Sequence, residues 1–436
     1  MIQGGIEAFA GKNVLLLQGP VGPFFARLAR DLRQAGATVF KINFNAGDWL
    51  FYPSGAHNYR GTMEDWPAFF REQVRAWQID TVLLFGDCRP IHRAAHTIAT
   101  EMKLEIGVFE EGYIRPNYIT LERFGVNDNS RLPRTVDIRK EEPPETPHAL
   151  PVTKPYWHMI RLGFLYFGVG ALGKPWFPHY RHHRPLSLLE GLFWIRALWR
   201  KWWYRWKERG MQDRLTGQWK DRFFLVPLQV HNDAQIIVHA DLGSIPHFIE
   251  MTIQSFVRHA PSDTILVFKH HPMDRGYSDY TKLIRQIAQE TGVTRRVHYV
   301  HDLHVPTLLN HARGVVVINS TVGLSAIHHG TPTKVCGRAL YDMRGLTFQG
   351  RLDRFWKAAA KSRPDQELYK RFRKHLIART QLNGNFYRPL KMKHSACGLV
   401  WRAWPTPPQV QAGEDNINVV SVPDSRLQGV SEPEKQ

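Results

Sequence analysis

Residues 12–20 read KNVLLLQGP. Val14, Leu15, Leu16 and Leu17 form a short apolar run that stops at Gly19-Pro20. A run this brief, apolar at successive positions and closed by a turn signal, marks a strand buried on both faces of a parallel sheet. Residues 24–35 then take helical spacing, and the unit repeats. A strand is expected over 38–44, where Lys41 and Asn43 alternate with Phe40, Ile42 and Phe44. Next come a helix over 66–77, a strand over 81–85 ending in Gly86-Asp87, and a helix over 91–102. A further strand over 105–109 ends in Glu110-Glu111-Gly112. Alternation of this kind predicts a doubly wound α/β sheet whose ligands bind beyond the carboxyl ends of its strands.

The rhythm resumes at residue 223. Strands are expected over 223–226, 264–268, 297–299 and 314–318, with helices over 245–258, 277–291, 305–312 and 320–329. Two Rossmann-like halves predict the GT-B architecture of many glycosyltransferases. The 436-residue length suits two or three domains. We divide it into an N-terminal Rossmann-like half (1–150), a helical segment (151–215), a C-terminal Rossmann-like half (216–400) and a tail (401–436). Residues 140–155, rich in Pro, Glu and Thr, read as a linker. The tail has little apolar pattern and reads as disordered.

Charge is the compositional outlier. Lys and Arg total 58 against 39 Asp and Glu, giving a formal charge of +19 and a pI near 9.9. Such a field favours anionic partners. Cys88, Cys336 and Cys397 are widely spaced, which excludes a disulfide framework and a CxxC metal site and fits a reducing cytoplasm. The N-terminus lacks a signal-peptide pattern, and no run approaches the ~20 apolar residues of a spanning helix. The expectation is a protein neither secreted nor integral, yet able to sit on a membrane. Residues 154–209 hold seven of the 14 tryptophans and eleven Lys or Arg against Glu190 and Glu208. A helix is expected over 186–207. Trp199, Trp202, Trp203 and Trp206 would insert at headgroup level, and Arg196, Arg200, Lys201, Arg205 and Lys207 would face anionic lipid. The competing reading makes these tryptophans the core of a helical insert.

Three constellations fall at strand ends. In FEEGYIRP (109–116), adjacent carboxylates point to opposite faces, so one enters a cleft while the other supports the loop. In VFKHHPMD (267–274), imidazole beside Lys269 suits a phosphate or a leaving-group oxygen; adjacent histidines make a poor metal site. In VVVINSTVG (315–323), a strand runs into Ser-Thr at a helix start, where free amides and the helix dipole favour an anion. GTPTK (330–334) reads as the entry to a further strand. Singly, each motif is also the composition of an ordinary turn or cap.

Taken in order, acid-acid-Gly, His-Pro and Ser-Thr resemble the motif set of bacterial transferases that use CMP-activated keto-acid sugars. The stretches FEEGYIRPNYITLE (109–122), PLQVHNDAQI (227–236), 269–272 and NSTVGLSAIHHGTPTK (319–334) resemble the capsule β-Kdo glycosyltransferase family of capsule polysaccharide biosynthesis. The resemblance covers roughly residues 12–395. It implies a retaining enzyme, peripheral on the cytoplasmic face of the inner membrane. Such an enzyme takes Kdo from CMP-Kdo and starts a poly-Kdo linker on (lyso)phosphatidylglycerol. A second Kdo transferase and the capsule-export complex are the implied partners. Glu111 matches the catalytic acid and Glu110 its supporting acid, with the two exchangeable. His271, Ser320 and Thr321 match the donor-phosphate residues, and Lys269, Pro272 and Arg115 join them as donor-binding candidates. The family's extending enzymes tend to carry Asp where Glu111 stands. CMP leaves without a pyrophosphate, so no metal cofactor is expected, and the sequence holds no DxD motif. The alternatives are a sialic-acid transferase using another CMP-sugar, a non-catalytic assembly partner, and a basic nucleic-acid-binding protein. No nucleic-acid fold signature supports the last.

Overall fold

The computed structural model describes residues 5–132, 137–146, 148–153, 156–182, 190–230 and 243–401. Twelve strands are present among them: β1 (Asn13–Leu16), β2 (Thr38–Asn43), β3 (His57–Asn58), β4 (Thr81–Phe85), β5 (Glu105–Glu111), β6 (Tyr118–Arg123), β7 (Phe223–Pro227), β8 (Ile265–Lys269), β9 (Val297–Val300), β10 (Gly314–Val317), β11 (Thr333–Val335) and β12 (Gln381–Asn383). They form two sheets, ordered β12-β6-β5-β4-β1-β2-β3 and β11-β10-β7-β8-β9. The second sheet is parallel throughout. The first is parallel from β5 to β3, with β6 and β12 added antiparallel. Two Rossmann-like halves are therefore correct, and both lie in one compact unit.

The apolar runs become central strands because helices cover both faces of each sheet. Val14 and Leu16 pack with Phe24 and Leu28 on one face, while Leu15 and Leu17 pack with Trp66 and Phe70 on the other. In the second half, Phe223 and Leu225 face Phe372 and Leu376, whereas Phe224 and Val226 face Phe256 and Trp356. The helices are α1 (Phe24–Gln34), α2 (Ala46–Phe51), α3 (Trp66–Ala76), α4 (Pro90–Glu101), α5 (Tyr156–Leu172), α6 (Glu190–Lys207), α7 (Met211–Thr216), α8 (Ile245–His259), α9 (Thr281–Glu290), α10 (Val305–His311), α11 (Thr321–His328), α12 (Leu352–Ala358) and α13 (Gln366–Thr380).

Three expectations change. The C-terminal half does not run to residue 400, because after α13 the chain crosses back and β12 joins the first sheet beside β6. The described part of the expected linker is strapped down. Arg371 bonds the carbonyl of Glu141 (2.6 Å) and, just before the linker, that of Ile138 (3.1 Å), and Asn383 exchanges bonds with the backbone of Leu150 (2.8 and 3.0 Å). The helix expected from 277 starts at Thr281, since residues 272–274 form a separate 3-10 turn. Residues 402–436 of the tail and 186–189 of the insert lie outside the described residues, as do 231–236 of the quoted stretch 227–236.

Gln381 on β12 holds the turn that follows β5. Its Oε1 accepts from the N–H groups of Tyr113 (3.0 Å) and Ile114 (3.4 Å), and its Nε2 donates to Thr120 Oγ1 (2.9 Å). Gln381→Leu should leave the buried Tyr113 N–H unpaired and lower stability by about 1–3 kcal/mol. Urea unfolding with an unchanged slope is the check; a wild-type midpoint would contradict it.

Candidate functional site

The last two residues of β5 are Glu110 and Glu111, in register with Thr120 and Ile119 of β6. Glu110 Oε1 accepts the N–H of Glu111 (2.9 Å). Desolvation at the sheet end pushes the Glu110 carboxyl up to about 7, with the charges of Glu111 and Asp87 adding and the Glu111 N–H opposing. Glu111 Oε1 instead accepts from the Tyr387 hydroxyl (3.1 Å). Burial, then this carboxylate, hold that hydroxyl well above its ordinary range. Gly112 completes the motif for a steric reason: a Cβ there would stand 1.9 Å from the Tyr118 carbonyl oxygen. Arg115 Nε donates back to the Gly112 carbonyl (3.2 Å), closing the turn.

At the end of β8, His271 caps the 3-10 turn Pro272–Asp274, its Nδ1 accepting from the Met273 N–H (3.2 Å). In the neutral ring the proton therefore sits on Nε2. At the end of β10, Ser320 caps α11 by accepting from the Val322 N–H (3.2 Å). The Tyr341 hydroxyl bonds the Ser320 carbonyl. Asn319 Oδ1 accepts from Gln229 Nε2 (3.0 Å), linking the ends of β10 and β7 across the point where strand order reverses.

Glu110, Glu111, Arg115, His271, Ser320 and Thr321 all line one cleft of about 470 Å³ between the two halves. Lys269 and Pro272 do not line it. The Lys269 ammonium is buried and donates to the carbonyls of His270 (3.1 Å) and His301 (2.8 Å). Desolvation, with Arg275 nearby, lowers it to about 8. It braces the strand end, because an apolar sheet interior leaves a lysine no route to the cleft. Pro272 is exposed and opens the turn.

Sequence reading missed Arg89, Gln229 and Arg338, which also line the cleft. Arg89 Nη1 donates to Gln18 Oε1 (2.7 Å), joining the ends of β4 and β1 at the first sheet's reversal point. Its position just after Gly86-Asp87 was the available signal. Arg338 Nε meets Asp128 Oδ2 (2.8 Å) across the two halves, and no local pattern announces it. Three arginines around two carboxylates suit an anionic ligand that reacts beside an acid. Among the described residues, no three His, Cys, Asp or Glu side chains cluster as metal ligands.

The aromatic segment is an exposed helix face. Trp199, Trp202, Trp203 and Trp206 of α6 are 44–66% exposed, so they are not the core of an insert. The inner face is held instead by Tyr204, stacked on His301 at 3.5 Å, and by Trp194, which packs on Phe164. Arg200 is a correction: it turns inward and donates to the Arg275 carbonyl (2.9 Å), its side chain 13% exposed. Lys201 lies over the Tyr156 ring at 5.6 Å. Arg196, Arg205 and Lys207 stay exposed and flank the tryptophans. Among the described residues no helix is long and apolar enough to cross a membrane.

Two Rossmann-like halves meeting at their strand ends make this a GT-B-like protein. The sequence model of the capsule polysaccharide biosynthesis protein family matches residues 80–387, and the chain belongs to that family. It is 42% identical over 381 residues to the capsule polysaccharide export protein KpsS of Escherichia coli, covering 87% of this chain and 97% of that protein. Against the capsule polysaccharide modification protein LipB of Neisseria meningitidis serogroup B it is 41% identical over 388 residues, covering 87% and 92%. Among solved structures, KpsC of Thermosulfurimonas dismutans, a beta Kdo 2,7 transferase, aligns at 13% identity over 89% of this chain and 96% of that one, with a TM-score of 0.41.

The raised Glu110 carboxyl has a pH signature. From about 4.5 to 7 the folded protein binds a proton there that the unfolded chain releases, so stability falls as pH rises through this window. Glu110→Gln should remove that loss, and its stability relative to wild type should grow up to about pH 7 and then level. Glu122, also pushed up to about 7, contributes equally to both proteins and cancels. Urea melts across the window test this, and parallel pH curves would refute it.

Proposed function

We propose that this chain is a retaining β-Kdo transferase that moves Kdo from CMP-Kdo to (lyso)phosphatidylglycerol, starting a capsule linker. The observation that carries the reading is the single cleft that brings Glu110 and Glu111 from one half against His271, Ser320 and Thr321 from the other. Membership of the capsule family supports it. The donor phosphate sits at the start of α11, on Ser320 and Thr321, and His271 Nε2–H donates to the oxygen that leaves. Glu111 attacks the anomeric carbon, forming a carbon–oxygen bond as the bond to CMP breaks. The acceptor hydroxyl then displaces Glu111 and yields its proton to Glu110, whose carboxyl is poised near 7. Two displacements retain the configuration. No metal enters either step.

Mass spectrometry of the product from CMP-Kdo and lyso-phosphatidylglycerol tests the reaction. One added Kdo is expected, and Glu111→Gln should cut turnover by about a thousandfold or more while CMP affinity holds. Transfer from CMP-sialic acid alone, or near-normal turnover in the variant, would overturn the donor or the nucleophile respectively.

The same reading places the enzyme on the cytoplasmic face of the inner membrane, with Trp199, Trp202, Trp203 and Trp206 inserted at headgroup level. The protein should float with phosphatidylglycerol vesicles and be released by high salt. Changing Arg196, Arg205 and Lys207 together to Gln should weaken flotation, each cation contributing about 1 kcal/mol before screening. Flotation unaltered by that change would remove the docking role from α6.

A further inference from the structure

Beyond the carboxyl ends of β1 and β2 lies a second cavity, of about 370 Å³, lined by Asn45, Lys174, Phe177, Tyr180, Arg181 and His182 among others. A buried lattice adjoins it. The Tyr166 hydroxyl donates to Asp48 Oδ1 (3.0 Å), Asn45 Nδ2 donates to that hydroxyl (2.7 Å), and Gln18 Nε2 donates to Asp48 Oδ2 (3.0 Å). The seat is rigid. A Cβ on Gly47 would lie 2.6 Å from the Tyr166 ring, and one on Gly173 would lie 2.1 Å from Ala46 Cβ.

The cavity's chemistry is that of an anion site with an apolar exit. Among the described residues, Lys174 and Arg181 form no ion pair with a carboxylate. Asp48, the acid of the lattice, is already engaged by Tyr166, Gln18 and the Phe44 N–H. Phe177 and Pro178 line the same space, and Leu172 and Trp176, on the same stretch of chain, are 65% and 54% exposed. A compact anion carried on an apolar tail matches both features.

One side chain joins this cavity to the donor cleft. Gln18 Oε1 accepts from Arg89 (2.7 Å), which lines the cleft, and the Gln18 amide exchanges bonds with the Tyr180 hydroxyl (2.8 and 3.1 Å), which lines the cavity.

We propose that the second cavity is the acceptor site and takes the phosphodiester headgroup of an anionic lipid. Lys174 and Arg181 hold the phosphate, and the acyl chain leaves along Leu172 and Trp176. Gln18, bonded both to Tyr180 of this cavity and to Arg89 of the cleft, sets the two sites side by side. The lipid's role as acceptor rests on the transferase reading above, whereas its binding requires no donor and is tested separately.

Calorimetry on the full chain would use lyso-phosphatidylglycerol below its micelle concentration, lyso-phosphatidylcholine and inorganic phosphate. Lyso-phosphatidylglycerol should bind tightest. The double variant Lys174→Gln, Arg181→Gln should bind it about tenfold or more weakly, with CMP affinity and melting temperature unchanged. Lys174→Arg with Arg181→Lys should restore it. Equal affinity for both lysolipids, or no loss in the Gln variant, would overturn the proposal. Inorganic phosphate binding as tightly as the anionic lysolipid would make this a soluble-anion site and overturn the lipid assignment. Lysolipid bound here without transfer from CMP-Kdo would instead defeat the transferase reading and leave the cavity standing.

Discussion

The turn that carries the paired carboxylates depends on one amide. Gln381 accepts from two successive backbone N–H groups of the turn after Glu111 and donates to Thr120, so it fixes both the turn and the strand beside it. That glutamine arrives from the other half, carried by α13 and set down as β12. Leaving buried hydrogen-bonding groups unpaired is costly, so the crossing back of the chain stabilises the acid-acid-Gly turn. A residue delivered through the second half thus completes the geometry of the first. Asp128 and Arg338 add an ion pair across the same divide.

Most of the Rossmann frame was legible because parallel strands buried on both faces must be short apolar runs, and those of β1, β4, β7, β8 and β10 are. Three motifs at strand ends were legible for the same reason, since a sheet's ligand edge follows from its topology. What escaped reading is long-range. β12 is three residues with no pattern of their own, made a strand by β6. The inward turn of Arg200 is decided by carbonyls 75 and 78 residues away. Lys269 looks like a cleft cation beside His-Pro, yet two backbone carbonyls claim its ammonium inside the sheet edge. The steric demand on Gly112 comes from Tyr118, six positions on, across a turn no local rule specifies.

Each sheet reverses strand order once, and at each reversal an amide side chain bridges the gap: Gln18 to Arg89 in the first half, Gln229 to Asn319 in the second. These bridges place donors at the two points where doubly wound sheets leave a crevice. One crevice borders the carboxylates and the second cavity; the other presents the start of α11. The first half thus brings the paired carboxylates to the cleft, and the second brings the start of α11. Acid and base also meet across the cleft directly, in the ion pair of Asp128 with Arg338.

The exposed aromatic face spans this division. α6 is anchored to the second half: Glu208, just past its end, accepts from His301 and from the backbone of His301 and Asp302, and Tyr204 stacks on the same imidazole. α5 is anchored to the first half through Tyr166 against Gly47 and Asp48. The two helices meet through Trp194 on Phe164 and Phe167, with Gly163 leaving room for the indole. Their outward residues, Trp157, Phe164 and Leu165 on one and Trp199, Trp202 and Trp206 on the other, belong to different halves of the cleft.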